Sequence, residues 1–379
     1  MIYLDNSATT RTFDDAAQMA EKYMTQEFFN PAGAYSPAVA AERNVNAARE
    51  RIADIIGASK SELIFTSGGT ESNNMAIFGT LRALRGKGRI IVSAVEHPSV
   101  YVPIMNLEKE YDVTIAGVKQ DGSIDVDALG ELITPETQLV SIMHVNNETG
   151  AINDIAAINR LLKRIAPDAY LHVDGVQAFI KVPMLAGNCD LYSISGHKFH
   201  GPKGVGALYV KSGVKFIGGQ MGGGQENDLR SGTTNTPGIM GMDTAAAQYI
   251  KEREAYVGNM RKCKEHLHEA LLNIPDVIHN GPELTDGAPH ILNMSFLGVR
   301  GEVLLHALEE KSIFVSTGSA CAAHKKGKNR ILTAMGITGE RQEGAIRFSL
   351  CPFNTIEEMD ITANAIDDIL KVLRRFKRR

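Results

Sequence analysis

The sequence is poor in cysteine, with four in 379 residues, at 189, 263, 321 and 351. No two of them form a Cys-x-x-Cys pair, which argues against a disulfide framework or a zinc knuckle and for a reducing compartment. Long apolar runs are also missing. No stretch approaches the ~20 residues that span a bilayer, and the opening MIYLDNSATT lacks the basic and apolar regions of a signal peptide, so a cytoplasmic location is expected. Charge of one sign is not in excess. A formal net charge of −4 gives no reason to expect nucleic acid or a membrane surface as partner. The basic ending LRRFKRR reads as cations complementing the C-terminal end of a helix. No internal repeat occurs, and no GxxxxGK[ST] motif, which excludes a nucleotide P-loop.

What is present between about 60 and 210 is a regular alternation. ELIFTSG, RIIVSA, DVTIAGV, QLVSIMHV, YLHVDG, DLYSISG and VGALYVK read as strands. TESNNMAIFGTLRALR, PSVYVPIMNLEKEY, DVDALGELI and DIAAINRLLKRIA read as the helices between them. Such alternation predicts an α/β fold, a mostly parallel sheet covered by helices on both faces. Further on, a helix is expected over MRKCKEHLHEALLNI, strands over HILNMSFL, IFVST and AIRFSL, and helices over GEVLLHALEE and the last twenty or so residues. That pattern predicts a smaller α+β domain. Residues 14–245 are expected to form the large domain, and 1–13 with 246–379 the small one. The glycine-rich GGQMGGGQENDLRSGTT before the boundary is long and polar, which suits a site or an interface.

In open α/β sheets ligands bind beyond the carboxyl ends of the strands, so the residues there are the candidates for a site. After LIFTS comes GGTESNN, where glycines and Thr70 open a helix; this suits a phosphate, or is an ordinary helix capped by Thr70 or Ser67. After IIVSAVE come His97 and Pro98, a catalytic or merely capping histidine. NNETG after VSIMHV is a polar turn. Asp174 ends an apolar strand, with Gln177 three residues on, and a buried aspartate needs a partner such as a ring N–H or an arginine. Lys198 lies in GHKFHGPKG between His197 and His200. Most lysines are solvated surface charges, but one beside other cations, or desolvated, becomes a nucleophilic amine. A metal site from His172, His197, His200 and Cys189 matches no usual zinc spacing. A phosphate cradle, a strand-end carboxylate and an activatable lysine together point to pyridoxal 5'-phosphate, which needs all three.

At this point the sequence resembles a family. YLDNSATT, FTSGGTESNN, EHPSV, HVNNETG, HVDGVQ, SISGHKFHGPKGVGALYV, RSGTTN, GSAC and IRFSL, in this order, make it similar to cysteine desulfurases of the NifS/IscS type, in the class V aminotransferase group of fold type I pyridoxal phosphate enzymes. The resemblance covers essentially the whole chain. It implies that Lys198 forms the Schiff base and later moves the Cα proton, that Asp174 pairs with the pyridinium nitrogen, and that Gln177 bonds the ring oxygen. It implies that His97 stacks on the ring and takes part in proton transfer. Thr70, Ser195 and His197 would hold the phosphate, Thr233 would reach the phosphate of a partner in a homodimer, and Asn147 and Arg347 would lie near the substrate carboxylate.

The resemblance also explains Cys321, a thiol in STGSACAAHKK, among residues too small to fill a core. It matches the family's catalytic cysteine, which takes sulfur from L-cysteine as a persulfide, leaves L-alanine, and passes the sulfur to a protein acceptor in iron–sulfur cluster assembly or thiolation. His324, Lys325 and Lys326 would favour its thiolate, while Cys189, Cys263 and Cys351 read as structural. Two departures stand out: the basic AAHKKGKNRIL after Cys321, which suits an acidic acceptor, and Ser36 where relatives carry histidine. Rival readings are another reaction on the same cofactor, such as selenocysteine lyase or a transaminase, and an idle assembly subunit.

Overall fold

The computed structural model describes residues 1–317 and 329–376. A short strand β1 (Ile2–Tyr3) leads into helices α1 (Asp14–Thr25) and α2 (Ser36–Asp54). Strands and helices then alternate: β2 (Leu63–Thr66), α3 (Gly69–Ala83), β3 (Arg89–Ser93), α4 (Pro98–Met105), β4 (Asp112–Ala116), α5 (Val126–Leu132), β5 (Thr137–Met143), α6 (Ile155–Ile165), β6 (Tyr170–Asp174), β7 (Leu191–Ser195) and β8 (Gly206–Val210). Two long helices follow, α7 (Thr236–Lys251) and α8 (Arg253–Leu272). The remainder is β9 (Val277–Asn280), β10 (Ile291–Phe296), α9 (Gly301–Glu309), β11 (Ile313–Phe314), α10 (Arg330–Ala334), α11 (Gly339–Glu343), β12 (Ala345–Ser349) and α12 (Ile356–Phe376).

Strands β2 to β8 form one seven-stranded sheet in the order β2-β8-β7-β6-β5-β3-β4. It is parallel from β7 through β6, β5 and β3 to β4, and only β8 runs against its neighbours β7 and β2. Strands β6 and β7 are buried almost throughout, which is why they read as unbroken apolar runs, whereas β4 at the edge keeps polar, partly exposed positions. Helix α6 shows how the covering layer is encoded. Ile155, Ile158 and Leu162 turn one face inward, Asp154 caps the start by accepting the Ala157 N–H at 2.9 Å, and Lys163 and Arg164 occupy the last turn.

A second sheet, β12-β10-β9, is antiparallel, and β1 pairs in parallel with β11. The N-terminal segment thus crosses to the C-terminal part of the chain. It is fastened there by the Ser349 N–H donating to Leu4 O at 2.7 Å and the Ser7 N–H donating to Ser349 Oγ at 2.8 Å.

Strand β1 and helices α1, α2, α10 and α11 were not read from the sequence, and three further elements differ from the reading. The helix after His97 stops at Met105, with Pro103 inside it, and the following residues form turns. The helix expected from Met260 begins earlier, at Arg253. Strand β9 was unforeseen because VIHN is short and half polar, with Asp276 before it in the left-handed region at φ 58°.

Candidate active site

The carboxyl ends of β3, β5, β6 and β7 face a cavity of about 500 Å³ whose walls include His97, Asn147, Asp174, Gln177, Ser195, His197, Lys198 and Arg347. Asp174 is the last residue of β6 and is buried. Its Oδ2 accepts Asn73 Nδ2 from α3 at 2.8 Å and its Oδ1 accepts the Val176 N–H at 3.0 Å. The partner that a buried aspartate requires therefore includes an amide and a backbone donor. Gly175 makes the turn possible: a Cβ there would fall 2.0 Å from the Tyr192 ring. Gln177 donates Nε2 to Ser7 O at 2.9 Å, and its buried Oε1 has no partner among the described residues.

His97 is both cap and cavity wall. It precedes Pro98 at the start of α4, and its Nδ1 accepts the Ser99 N–H at 3.1 Å. Burial lowers its pKa from the usual 6.5; Lys198 and Arg330 lower it too, while Asp174 opposes them.

Lys198 ends the short turn Gly196–Lys198 after β7. Its Nζ donates to Ser7 O at 2.5 Å and to Ala8 O at 2.8 Å. His197 shares a hydrogen bond with Thr9 Oγ1 at 3.1 Å, and burial, helped by Lys198, Lys203 and Lys181, brings its pKa down to about 4. Beside it the N-terminus of α3 opens a second hollow lined by Ser67, Thr70, Ser195, His197 and Lys203. Helix α3 has no side-chain cap; Gly68 at φ 144° occupies that position. A helix N-terminus with hydroxyls and a lysine around it suits a phosphate.

Arg347, on β12, lines the same cavity. Its Nη1 donates to Asn147 O at 3.0 Å and its Nη2 to Asp5 Oδ1 at 2.6 Å, while its Nε and Asn147 Oδ1 are buried without partners among the described residues. The NNETG turn is held by Asn146 Oδ1, which accepts the Glu148 and Thr149 N–H groups at 3.0 Å each. Glu148 itself is buried against the cavity and accepts Asn329 Nδ2 at 2.7 Å; burial raises its pKa to about 7 against that bond, Arg347 and Arg330.

One expected residue among those described is not in this cavity. Thr233 is exposed in the loop after β8 and lines neither hollow. Cys321, with His324, Lys325 and Lys326, lies outside the described residues, but Ser316 and Asn329 on either side of that stretch both line the cavity. Cys189 and Cys263 are buried and Cys351 is half-buried, and burial raises all three thiols, as suits structural cysteines. His172 shares its two ring nitrogens with Ser141 and Ser193 Oγ at 2.7 and 3.0 Å, inside the sheet. The sequence reading missed Asn73, Glu148 and the segment Asp5–Thr10, which touches Arg347, Gln177, Lys198 and His197 in turn. Its signal was YLDNSATT, a polar run with no periodicity to assign.

Residues 2–361 match the family described as aminotransferase class-V. A cysteine desulfurase from Nostoc sp. (strain PCC 7120) is 39% identical over 99% of this chain and 94% of its own length. The cysteine desulfurase IscS of Methanosarcina thermophila is 40% identical over 98% of this chain and 93% of its own. Among solved structures, a NifS-like protein superposes with a TM-score of 0.91 at 35% identity, covering 98% of this chain and 99% of its own. A protein named SspA, solved in complex with cysteine, gives 0.82 at 32% identity over 94% and 100%.

Proposed function

This chain belongs to the class-V aminotransferase family and to the cysteine desulfurases within it, and from that premise we propose how its residues divide the conversion of L-cysteine to L-alanine. The observation that carries the reading is that Asp174, Lys198, Arg347 and Asn147 all line one cavity. One structural relative was solved with cysteine bound, which supports the substrate class.

The proposed cofactor is pyridoxal 5'-phosphate, which when bound supplies an electron sink for the substrate Cα. The side chains fit it. Asp174 is already held rigid by Asn73 and the Val176 N–H and would accept a ring N–H. Gln177 Oε1 is buried and without a partner among the described residues, so it would accept a hydrogen bond from a donor on the ring. Thr70, Ser195 and His197 would hold the phosphate, joined by Thr233 of the partner subunit in a homodimer. The exposure of Thr233 suits that arrangement.

For the substrate, Arg347 and Asn147 would grip the carboxylate. Lys198 would carry the proton at Cα, and His97, donating from Nε2, would assist. The Cys321 thiolate would attack the substrate sulfur. An S–S bond forms, the Cβ–S bond breaks with its electron pair going to the carbon side, and protonation there yields L-alanine and a persulfide on Cys321. A protein acceptor would then take the sulfur, for iron–sulfur cluster assembly or thiolation. The basic run after Cys321 suits an acidic acceptor surface. The setting proposed is the cytoplasm, in keeping with cysteines that are unpaired among the described residues; none of the described helices is long and apolar enough to cross a membrane.

The test is to incubate the holoprotein with L-cysteine and a reductant and measure sulfide and alanine together. Equal amounts from the wild type, both lost in Cys321→Ala, are expected. Pyruvate in place of alanine, or turnover that survives the substitution, would move the protein to a lyase or transaminase.

A further inference from the structure

The Arg347 guanidinium is gripped from two directions. Asn147 O accepts Nη1 at 3.0 Å, and the Asp5 carboxylate accepts Nη2 at 2.6 Å. The ion pair is secluded, with the Arg347 side chain 6% and the Asp5 side chain 21% exposed. Asp5 does not reach across from a loose tail. Its backbone bridges Ser349, two residues beyond Arg347, and Asn6 Nδ2 donates to Ser349 O at 2.9 Å. The carboxylate therefore stands on the same strand ladder as the arginine it holds.

A planar guanidinium bonded at both Nη groups cannot rotate about its own axis, so the direction of its remaining donors is set. One of these, Nε, is buried with no acceptor among the described residues. Each Nη group keeps a second N–H, and Arg347 lines the cavity, so a carboxylate entering it can accept from a fork whose direction is fixed. We propose that Asp5 is a positioning residue for Arg347, holding the guanidinium in the orientation that receives a substrate carboxylate and so favouring an α-amino acid over the amine that lacks one. This rests on the proposed role of Arg347. The competing possibility is that Asp5 only ties the N-terminal segment to β12.

The experiment uses the holoenzyme, with L-cysteine as substrate and cysteamine, the same thiol and amine without a carboxylate, as competing ligand. Asp5→Ala is expected to raise KM for L-cysteine about tenfold, as loss of a charge-assisted contact does, and to change kcat far less. Cysteamine inhibition should be unchanged. Asp5→Asn keeps an acceptor oxygen in place and should recover most of the KM; Asp5→Ser, too short to reach the guanidinium, carries the test if Asp5→Ala fails to fold. An unmoved or lowered KM in folded, cofactor-loaded Asp5→Ala or Asp5→Ser overturns the inference. So does equal weakening of L-cysteine and cysteamine, which marks a structural tie. Arg347→Ala separates the two levels. If it raises KM and the Asp5 variants do not, only the role of Asp5 is lost. If it leaves KM unmoved, the reading of Arg347 fails and the inference fails with it.

Discussion

The backbone N–H of Ser99 meets His97 Nδ1 at 3.1 Å, and the Ser99 hydroxyl lies 2.7 Å from the same nitrogen. An amide N–H only donates, so Nδ1 is the bare nitrogen and the neutral ring carries its proton on Nε2. Protonation of Nδ1 would break that bond, while burial already pushes the ring pKa below 6.5. Cap geometry and burial thus act in the same direction and keep a neutral imidazole at the cavity wall.

The pH profile follows from this. His97 is neutral above its lowered pKa, so kcat should fall only as pH drops through that value, below the usual 6.5. His97→Phe keeps a flat ring and removes the proton carrier. Its kcat should be lower by about 100-fold, and the limb belonging to His97 should vanish. Steady-state kcat measured from mildly acid to mildly alkaline buffer decides it. A variant with near wild-type turnover would reduce His97 to a cap.

Glu148 predicts a different pH effect, on stability. Its folded pKa is about 7 because it is buried, against about 4.3 in an unfolded chain. Between those values the folded protein holds a proton that the unfolded chain has released. Stability therefore declines as pH rises through that window, by up to about 4 kcal/mol, and stays lower above it. Glu148→Gln keeps an acceptor for Asn329 Nδ2 but never ionises. Its melting temperature should exceed that of the wild type near pH 8, and the gap should close near pH 5. The same gap at both values would show that Glu148 does not titrate as described.

The parts of this site that were legible in the sequence are those where local chemistry conflicts with local burial. Asp174 ending an apolar strand, and Lys198 between histidines and glycines, are out of place in a plain strand-and-turn reading, and both line the cavity. Arg347 was legible only through family resemblance, because a lone arginine in AIRFSL does not announce its partner. That partner, Asp5, lies 342 positions away and is brought close by the pairing of β1 with β11 and the bridge to Ser349. Asn73 was hidden for a related reason. On a helix it looks like any polar residue, and only the packing of α3 on the sheet aims it at Asp174. The alternation of strands was legible because most of them, β2, β5, β6 and β7 above all, are buried almost throughout. The position of β8, against its neighbours, was not, since direction leaves no mark in an apolar pentapeptide.

Gly175 is the strictest steric requirement around Asp174. A Cβ would lie 2.0 Å from Tyr192 Cζ and 2.5 Å from its hydroxyl. That ring is fully buried, and its hydroxyl is 3.2 Å from His144 Nδ1, so it has no room to retreat. Gly175→Ala should destabilise the protein by about 1–3 kcal/mol and, by shifting the adjacent Asp174, weaken cofactor uptake. Denaturant midpoints and a cofactor titration report the two effects. Adding Tyr192→Ala should restore part of the cofactor affinity, because it removes the clash; no recovery would place the fault in the backbone of the turn.

Glu226 tests how the glycine-rich loop is held. Its carboxylate takes Arg49 through both oxygens, at 2.5 and 2.8 Å, and also accepts the Phe65 N–H on β2 at 2.9 Å. Both side chains are largely buried, at 15% and 7% exposure. Residues 226, 227 and 228 all have left-handed φ, at 50°, 55° and 64°, so the clamp also holds a strained turn. Glu226→Ala strands a buried guanidinium and should cost about 3–5 kcal/mol in a denaturant titration. Replacing both partners by Arg49→Met and Glu226→Leu removes the charges together and should cost clearly less. If the double variant is as unstable as the single one, the penalty does not come from a stranded charge. It then lies in the Phe65 amide, which loses its acceptor in both variants, and the clamp is a strand-edge contact in which the ion pair is incidental.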